Sequence, residues 1–508
     1  MEEFTAAGVR LDDLVARGAR LHPNRTAIRT PQTAVTFGEL EIAVNRCAAA
    51  LRDLAGPPGA VIALVASLDP AFAVAYYGIA RAGHVIAMVN PLLREDGLRH
   101  VLSLAGARLA IVTPAIEERL TALRGEFPDL EQVLLTGAPE LSAELAPGAT
   151  ATGDAWPRPA GGPDDLVCLQ FTSGTSGPPK GIRLSHRNLT VNAAQIAHSH
   201  GLDASSITLN HLPNYHPMHL NSALQAGAEQ VLCPAPESAV AIRTANTHRA
   251  THFYSLPVRL ARLAQDPELA RLRFSTVTGV FSGGSALPRS AAERLAEHFG
   301  IPVVQGYGLA ETSPLTHGDD PADPGPGSVG RAVPGTECRI VDVETREPLA
   351  VGAKGEIQVR GPQVMLGYLG DERGYGDDGW FSTGDLGRLD ESGRLTVIDR
   401  LKDVFKCDNW LVSPSDIEQV ALRHPAVREC VVFDHPDEFS TAVAHAVVVL
   451  ADPTVPVSRI AEFVNAQVPY YERLHRVLAV DAVPRSVTGK IQRRDLRPLT
   501  AHIPDLDG

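Results

Sequence analysis

Residues 165–181, "DLVCLQFTSGTSGPPKG", run an apolar, strand-like segment straight into a loop of hydroxyls and glycines that closes on lysine and glycine. A Walker-type loop would read G-x-x-x-x-G-K followed by Ser or Thr, because that last hydroxyl ligates magnesium. Here Lys180 follows a proline and precedes Gly181, so that reading fails. The physical logic of anion binding survives. Thr172, Ser173, Thr175 and Ser176 supply hydroxyl donors, Gly174 and Gly177 let backbone N–H groups approach an anion closely, and Lys180 adds a positive charge. The competing reading is a flexible Gly/Ser connection.

Working outward, short β-branched runs alternate with helical patterns up to about residue 300. Strand-like "VIALVA", "HVIAMV" and "LAIV" are separated by helix-like "FGELEIAVNRCAAALRDL" and "PAFAVAYYGIARAG". That alternation predicts an α/β class with helix-covered, mainly parallel sheets. The Pro/Gly-rich segment 151–165 predicts a loop feeding the strand before the hydroxyl-rich turn. After about residue 325 the strands shorten and hairpin signals begin, as in "LGRLDESGRLTVIDR" with a turn at Glu391, Ser392 and Gly393. Beyond Arg400 a compact α+β pattern follows. It has a helix opening at Ser415 with Glu418 completing a capping box, then strands "ECVVFD" and "HAVVVL". The expected organisation is a large N-terminal domain over 1–400, comprising helix-covered sheets and a β-rich subdomain, and a small mobile α+β domain over 401–508.

Bulk properties bound the function. A length of 508 residues exceeds one ordinary domain. A formal net charge of −13 argues against broad attraction to nucleic acid or an anionic membrane. The six cysteines are too widely spaced for a zinc knuckle and read as reduced thiols of a cytoplasmic protein. The acidic N-terminus lacks the apolar core of a signal peptide. The best membrane candidate, "AVIALVASLDPAFAVAYYGIA", is broken by Asp69 and Pro70 and reads as strand, turn and helix.

Four further stretches accompany the loop in order: "SGGSALP" (282–288), "QGYGLAETSP" (305–314), "FSTGDLGRL" (381–389) with "DRLKD" (399–403), and "PRSVTGKIQRRDLR" (484–497). Together with the loop they resemble the AMP-forming acyl-adenylating superfamily of acyl- and aryl-CoA ligases, adenylation domains and luciferases. The resemblance implies that a carboxylate attacks the α-phosphate of ATP, giving acyl-AMP and pyrophosphate, with the developing charge neutralised by the protein. It implies nucleotide contacts from Thr172, Ser173, Gly174, Thr175, Ser176, Gly177 and Lys180. Gly284, Ser285 and Ala286 would approach the purine, with Gln305, Gly306, Tyr307 and Gly308 alongside and the Tyr307 ring on the adenine face. Glu311 would ligate magnesium, a hard cation that prefers carboxylate oxygen, and Thr312 would donate to the α-phosphate. Asp385 would accept from the ribose hydroxyls, with Arg400 as a second ribose contact.

By the same resemblance Lys490 is the catalytic lysine between carboxylate and α-phosphate, and Lys402 is the hinge about which the small domain swings between half-reactions. On residues alone, Lys490 belongs to a basic run of the kind that is usually solvated. His211, His216 and His219 tempt a metal reading, but Pro213 and Pro217 prevent the helix that would put them on one face. The resemblance instead makes His216 an acyl-pocket and gating residue, with Tyr215 and His219 as lesser pocket candidates.

The chain departs from the family in "KCDNWLVSP", where Asn409 stands in place of a usual glycine and Leu411 in a commonly polar place. Asparagine tolerates positive φ better than most residues. The expectation is an ATP- and magnesium-dependent ligase joining a small carboxylic acid to CoA. The alternatives are an adenylating enzyme with another acceptor (a carrier-protein thiol, an amine or nitrite) and a non-catalytic nucleotide-binding scaffold.

Overall fold

The computed structural model describes residues 9–141, 160–172, 179–212, 214–325, 327–370, 378–408, 410–437, 439–484, 491 and 493–500, the Arg494 side chain excepted. The chain forms two compact units. The first comprises 1–338, 359–381 and 392–395; the second comprises 339–358, 382–391 and 396–508.

The first unit is built on two sheets. In the seven-stranded sheet, Val61–Val65, Val85–Val89, Leu109–Val112, Gln132–Leu135 and Leu166–Phe171 run parallel. Val85–Val89 and Leu109–Val112 are buried at every residue, the pattern of strands covered by helices on both faces. The long helix Phe37–Ala55 opens with a reciprocal Thr36–Glu39 capping box. Asp69 caps the next helix, Pro70–Ala82, by accepting from the Ala71 N–H, and Pro70 occupies the first turn where its missing donor costs nothing. That helix ends at Gly83, whose left-handed φ of +84° terminates it without strain. The stretch read as strand, turn and helix rather than membrane span is a buried strand, a capped turn and this helix. Among the described residues no helix is long and apolar enough to cross a membrane.

The second sheet has nine strands, in the order Arg331–Ala332, Leu315–Gly318, Val303–Gly308, Gly279–Ser282, His252–Ser255, Ile207–Asn210, Glu229–Leu232, Thr26–Arg29, Ala34–Thr36. Its six central strands are parallel and its edges antiparallel. Parallel strands end their connections on one side, so the loops after Ser282 and Ser255 and the strand end at Gly308 gather at one edge.

The second unit holds a four-stranded sheet in the order Glu337–Val341, Gly355–Arg360, Phe381–Leu389, Leu395–Arg400. The last two strands form the expected hairpin, and Gly393 in its turn has φ +77°. A five-stranded sheet follows, centred on the antiparallel pair Val427–Asp437 and Thr441–Leu450 and packed on helices Pro414–Ala421 and Val457–Asn465.

One local expectation is corrected. The helix begins at Pro414 with Ser413 before it and has no side-chain cap, so Ser415 and Glu418 make no capping box. The Ser415 N–H donates to Asp399 Oδ2 (2.9 Å). Glu418 Oε1 instead accepts from the Val432 N–H and from Arg493, both at 2.8 Å. Proline fits the first helical position better than it fits a flank, which moves the start two residues upstream of where a Ser415 cap would put it.

Candidate adenylation site

Strand Leu166–Phe171 delivers the chain into the hydroxyl-rich loop, and the antiparallel strand Gly181–Ser185 receives it. Ser173, Gly174, Thr175, Ser176 and Gly177 lie outside the described residues. The base of the loop is described. The Thr172 N–H donates to the Lys180 carbonyl (3.1 Å) and the Lys180 N–H to Thr172 Oγ1 (3.0 Å), while His100 Nε2 holds the Pro179 carbonyl (2.7 Å). This closure fixes both ends of a short loop. The Lys180 side chain is exposed, and its ammonium stands 4.9 Å from the centre of the Tyr368 ring, a cation–π distance.

Tyr368 reaches that place because Gly367–Tyr368 pairs with Ile182 and Arg183, and the Leu369 N–H bonds the Gly181 carbonyl (2.7 Å). Its hydroxyl donates to Glu311 Oε1 at 2.9 Å. Burial, and then the Glu311 carboxylate beside it, raise the Tyr368 phenol above its ordinary range, so it stays a donor at neutral pH. Glu311 sits in the short 3-10 turn Ala310–Thr312, pinned by the Met365 N–H to its carbonyl (2.8 Å). With Oε1 held by the phenol, Oε2 is the atom left for a cation, and a carboxylate oxygen suits magnesium.

Thr312 differs from the expectation. It is fully buried; its hydroxyl accepts from the Leu309 N–H (3.0 Å) and lies against the carbonyls of Leu309 and Pro314. In this structure the hydroxyl is committed to the backbone of the 309–314 turn.

Tyr307 and Gly308 end the strand Val303–Gly308. Tyr307 is half-buried, with its ring centre 6.0 Å from that of His317. Gly308 is obligatory by geometry, since a Cβ there would lie 1.8 Å from the Pro314 carbonyl oxygen. A similar crowding sets Gly306, whose Cβ would press on the Leu315 side chain at 2.8 Å. Gln305 does structural work in this unit. Its side-chain oxygen accepts from the Leu287 N–H (2.7 Å) and so anchors the 283–287 loop. In that loop Gly284, at φ +89°, Ser285 and Ala286 are exposed.

The pocket candidates separate. The Tyr215 hydroxyl donates to the Phe171 carbonyl (2.5 Å) and its own carbonyl accepts from Gln170 Nε2 (3.1 Å), tying this segment to the strand that feeds the loop. His216 stands edge-on to Tyr215 at 5.1 Å. His219 is buried, stacked 3.8 Å over Tyr254, its Nδ1 without a hydrogen-bond partner, and burial lowers it to about 3. His211 turns elsewhere, to Ser255 Oγ (2.9 Å) and Arg259 Nη1 (3.0 Å). The helix Met218–Ala226 starts only after Pro217, and each of the three histidines has its own surroundings.

In the second unit Asp385 is buried on strand Phe381–Leu389, with Oδ1 3.6 Å from Nε of the half-exposed Arg400 on the neighbouring strand. The two proposed ribose residues are thus adjacent. The Leu401 N–H donates to the Gly384 carbonyl (2.9 Å) and the Asp403 N–H to the Arg400 carbonyl (2.8 Å), so Lys402 is the exposed third residue of a turn. Lys490 and Asn409 lie outside the described residues. Cys407 pairs with Trp410 across a two-residue connection, and Asp408 in it has φ +48°. Downstream of Lys490, Arg493 is clamped: its Nη2 meets Glu418 and its Nε donates to the Val432 carbonyl (2.9 Å). Sequence reasoning missed Tyr368 and the Glu418–Arg493 pair. Tyr368 lies in an ordinary "LGYLG", 57 positions from Glu311, so no local pattern points to it.

The sequence family described as AMP-binding enzyme matches residues 15–369, and its C-terminal domain matches 416–490. A 4-coumarate–CoA ligase of Oryza sativa subsp. japonica is 31% identical over 493 residues, covering 92% of this chain and 90% of that protein. Among solved structures, the anthranilate CoA ligase AuaEII with anthranoyl-AMP is 25% identical with a TM-score of 0.85, covering 97% of both chains. ATP-bound MatB from Rhodopseudomonas palustris is 26% identical with a TM-score of 0.87, covering 97% of this chain and 100% of that one. With a family match over more than half its length and relatives aligned nearly end to end, this chain belongs to the AMP-binding enzymes, the AMP-forming acyl-adenylating superfamily.

Proposed function

We propose that the chain is an AMP-forming carboxylic acid:CoA ligase that activates a small carboxylic acid with ATP and passes the acyl group to the CoA thiol. The observation that carries this reading is the convergence on Tyr368 of Lys180, from the base of the hydroxyl-rich loop, and Glu311, from a distant turn. Adenylation needs a cation at the phosphates and a carboxylate for the metal that accompanies them, and these two groups supply both. Magnesium, when bound by Glu311, would screen the phosphate charge.

The chain's own residues do the rest. The loop 172–180 holds phosphate through N–H and hydroxyl donors. Gly284–Ala286 and Tyr307 line the purine, and Asp385 with Arg400 holds the ribose. Lys490 stabilises charge as the acid's oxygen attacks phosphorus and pyrophosphate leaves. Lys402 is the joint between a 1–400 body and a 401–508 domain that presents a second face for thioester formation. Tyr215, His216 and His219 border the acyl pocket. Relatives named for coumarate, benzoate and anthranilate support a small, often aromatic acid and CoA as acceptor. A cytoplasmic location accords with the cysteines standing as separate thiols.

The test is a screen of carboxylic acids for acid-dependent ATP–pyrophosphate exchange, followed by mass spectrometry of single-turnover products with CoA. Acyl-AMP converting to thioester supports the ligase. Persistent acyl-AMP from an acid that adenylates well would move the acceptor to a carrier thiol, an amine or nitrite. Absence of exchange with every acid would leave only the scaffold reading.

A further inference from the structure

We infer that Tyr368 is a positioning residue that sets the Glu311 carboxylate and the Lys180 ammonium together, through two separable contacts. This rests on the proposal that Glu311 holds magnesium and Lys180 meets phosphate. The first contact is directional: the phenol donates to Glu311 Oε1 at 2.9 Å, which restrains the carboxylate and leaves Oε2 for a metal that Glu311 would hold. The second is non-directional: the ring face lies 4.9 Å from the Lys180 ammonium and attracts it.

Tyr368 is itself immobilised from both sides. Its strand pairs with Ile182 and Arg183 just past the loop, and three residues before it the Met365 N–H bonds the Glu311 carbonyl (2.8 Å). The backbone of 365–369 thus bridges the loop exit and the Glu311 turn, and the Tyr368 side chain repeats that bridge at the functional atoms. A group that orients a metal's carboxylate in this way typically sustains metal affinity by 10–100-fold.

The two contacts predict different failures. Tyr368→Phe keeps the ring under Lys180 and removes the donor to Glu311. Tyr368→Leu removes both. ATP binding to the full chain is measured by calorimetry, without acid, across a magnesium titration and also in EDTA, alongside thermal midpoints. Tyr368→Phe is expected to raise half-saturating magnesium by about tenfold or more while leaving the EDTA affinity for ATP and the thermal midpoint near wild type. Tyr368→Leu should show the same magnesium shift and, in addition, weaker binding in EDTA, since Lys180 loses its support.

Glu311→Gln is the control. If it shifts magnesium dependence and Tyr368→Phe does not, the positioning role is overturned and the Glu311 assignment stands. If neither shifts, the metal assignment itself falls and the inference with it. A Tyr368→Phe protein that loses thermal stability and ATP affinity equally with and without magnesium would also overturn the inference, because that is what a purely structural tyrosine would do.

Discussion

Acid should destabilise this fold more than its carboxylates alone would dictate, and the buried histidines set the size of the effect. Burial pushes His186 down to about 4 and His211, His219 and His317 to about 3, each far below the ordinary value. Such a group binds a proton in the unfolded chain near pH 6.5 but not in the folded one. Its contribution is therefore intact above about pH 6.5 and is lost as pH falls toward the folded value. At pH 5.5 each imidazole costs upwards of about 1 kcal/mol relative to pH 7.5, so the four together remove on the order of 5 kcal/mol, comparable with the whole stability of many domains. The cleanest single probe is His219→Phe. The phenyl ring can keep the stack on Tyr254, and because Nδ1 has no partner the change strands no buried donor or acceptor. Urea unfolding of wild type and variant, followed by circular dichroism at pH 7.5 and 5.5, gives the difference directly. The variant should gain upwards of about 1 kcal/mol on wild type between the two pH values. Parallel losses in the two proteins would show that His219 titrates alike folded and unfolded, and the argument from burial would fail.

Three further outcomes follow from the site. Lys490→Ala should lower pyrophosphate exchange by about 100-fold or more while a supplied acyl-AMP still reacts with CoA; unchanged exchange would remove the lysine from the first transition state. Lys402→Pro places a fixed φ at the third residue of the Arg400–Asp403 turn, where proline forces the residue before it out of the helical region. Exchange should persist and thioester formation should fall, and equal rates in both half-reactions would show that the joint lies elsewhere. Glu418→Gln weakens the charge holding Arg493, three residues after Lys490, so exchange should drop several-fold with the Michaelis constant for ATP unchanged. A matching drop in acyl transfer would make the pair a general support of its domain.

What the sequence made legible follows from how local each cause was. The strands at 61–65, 85–89 and 109–112, the helices 37–55 and 70–82 and the hairpin turn at Gly393 are each dictated by neighbours in the chain: apolar runs, Thr36 with Glu39, Asp69 before Pro70, a glycine free to take positive φ. The resemblance gave Thr312 to the α-phosphate, but where its hydroxyl lies is set by the fold of the 309–314 turn, which no local pattern records. Within that one turn the Thr312 hydroxyl bonds the Pro314 carbonyl while the Glu311 carboxylate accepts from Tyr368. Gln305 likewise lay within the right motif while its amide oxygen served the 283–287 loop across a parallel pair of strands.

Tyr368 went unseen, and Glu418 was read as a helix cap, for the complementary reason: their partners are 57 and 75 positions away, and neither residue type is unusual where it stands. Each holds a charged side chain of another element, Glu311 for Tyr368 and Arg493 for Glu418. A motif records which atoms must meet the substrate, whereas the residues that aim those atoms are fixed only by register between strands. A one-residue slip of Gly367–Tyr368 against Ile182–Arg183 would turn the phenol to the opposite face of the sheet, away from Glu311, and leave every motif in the sequence intact.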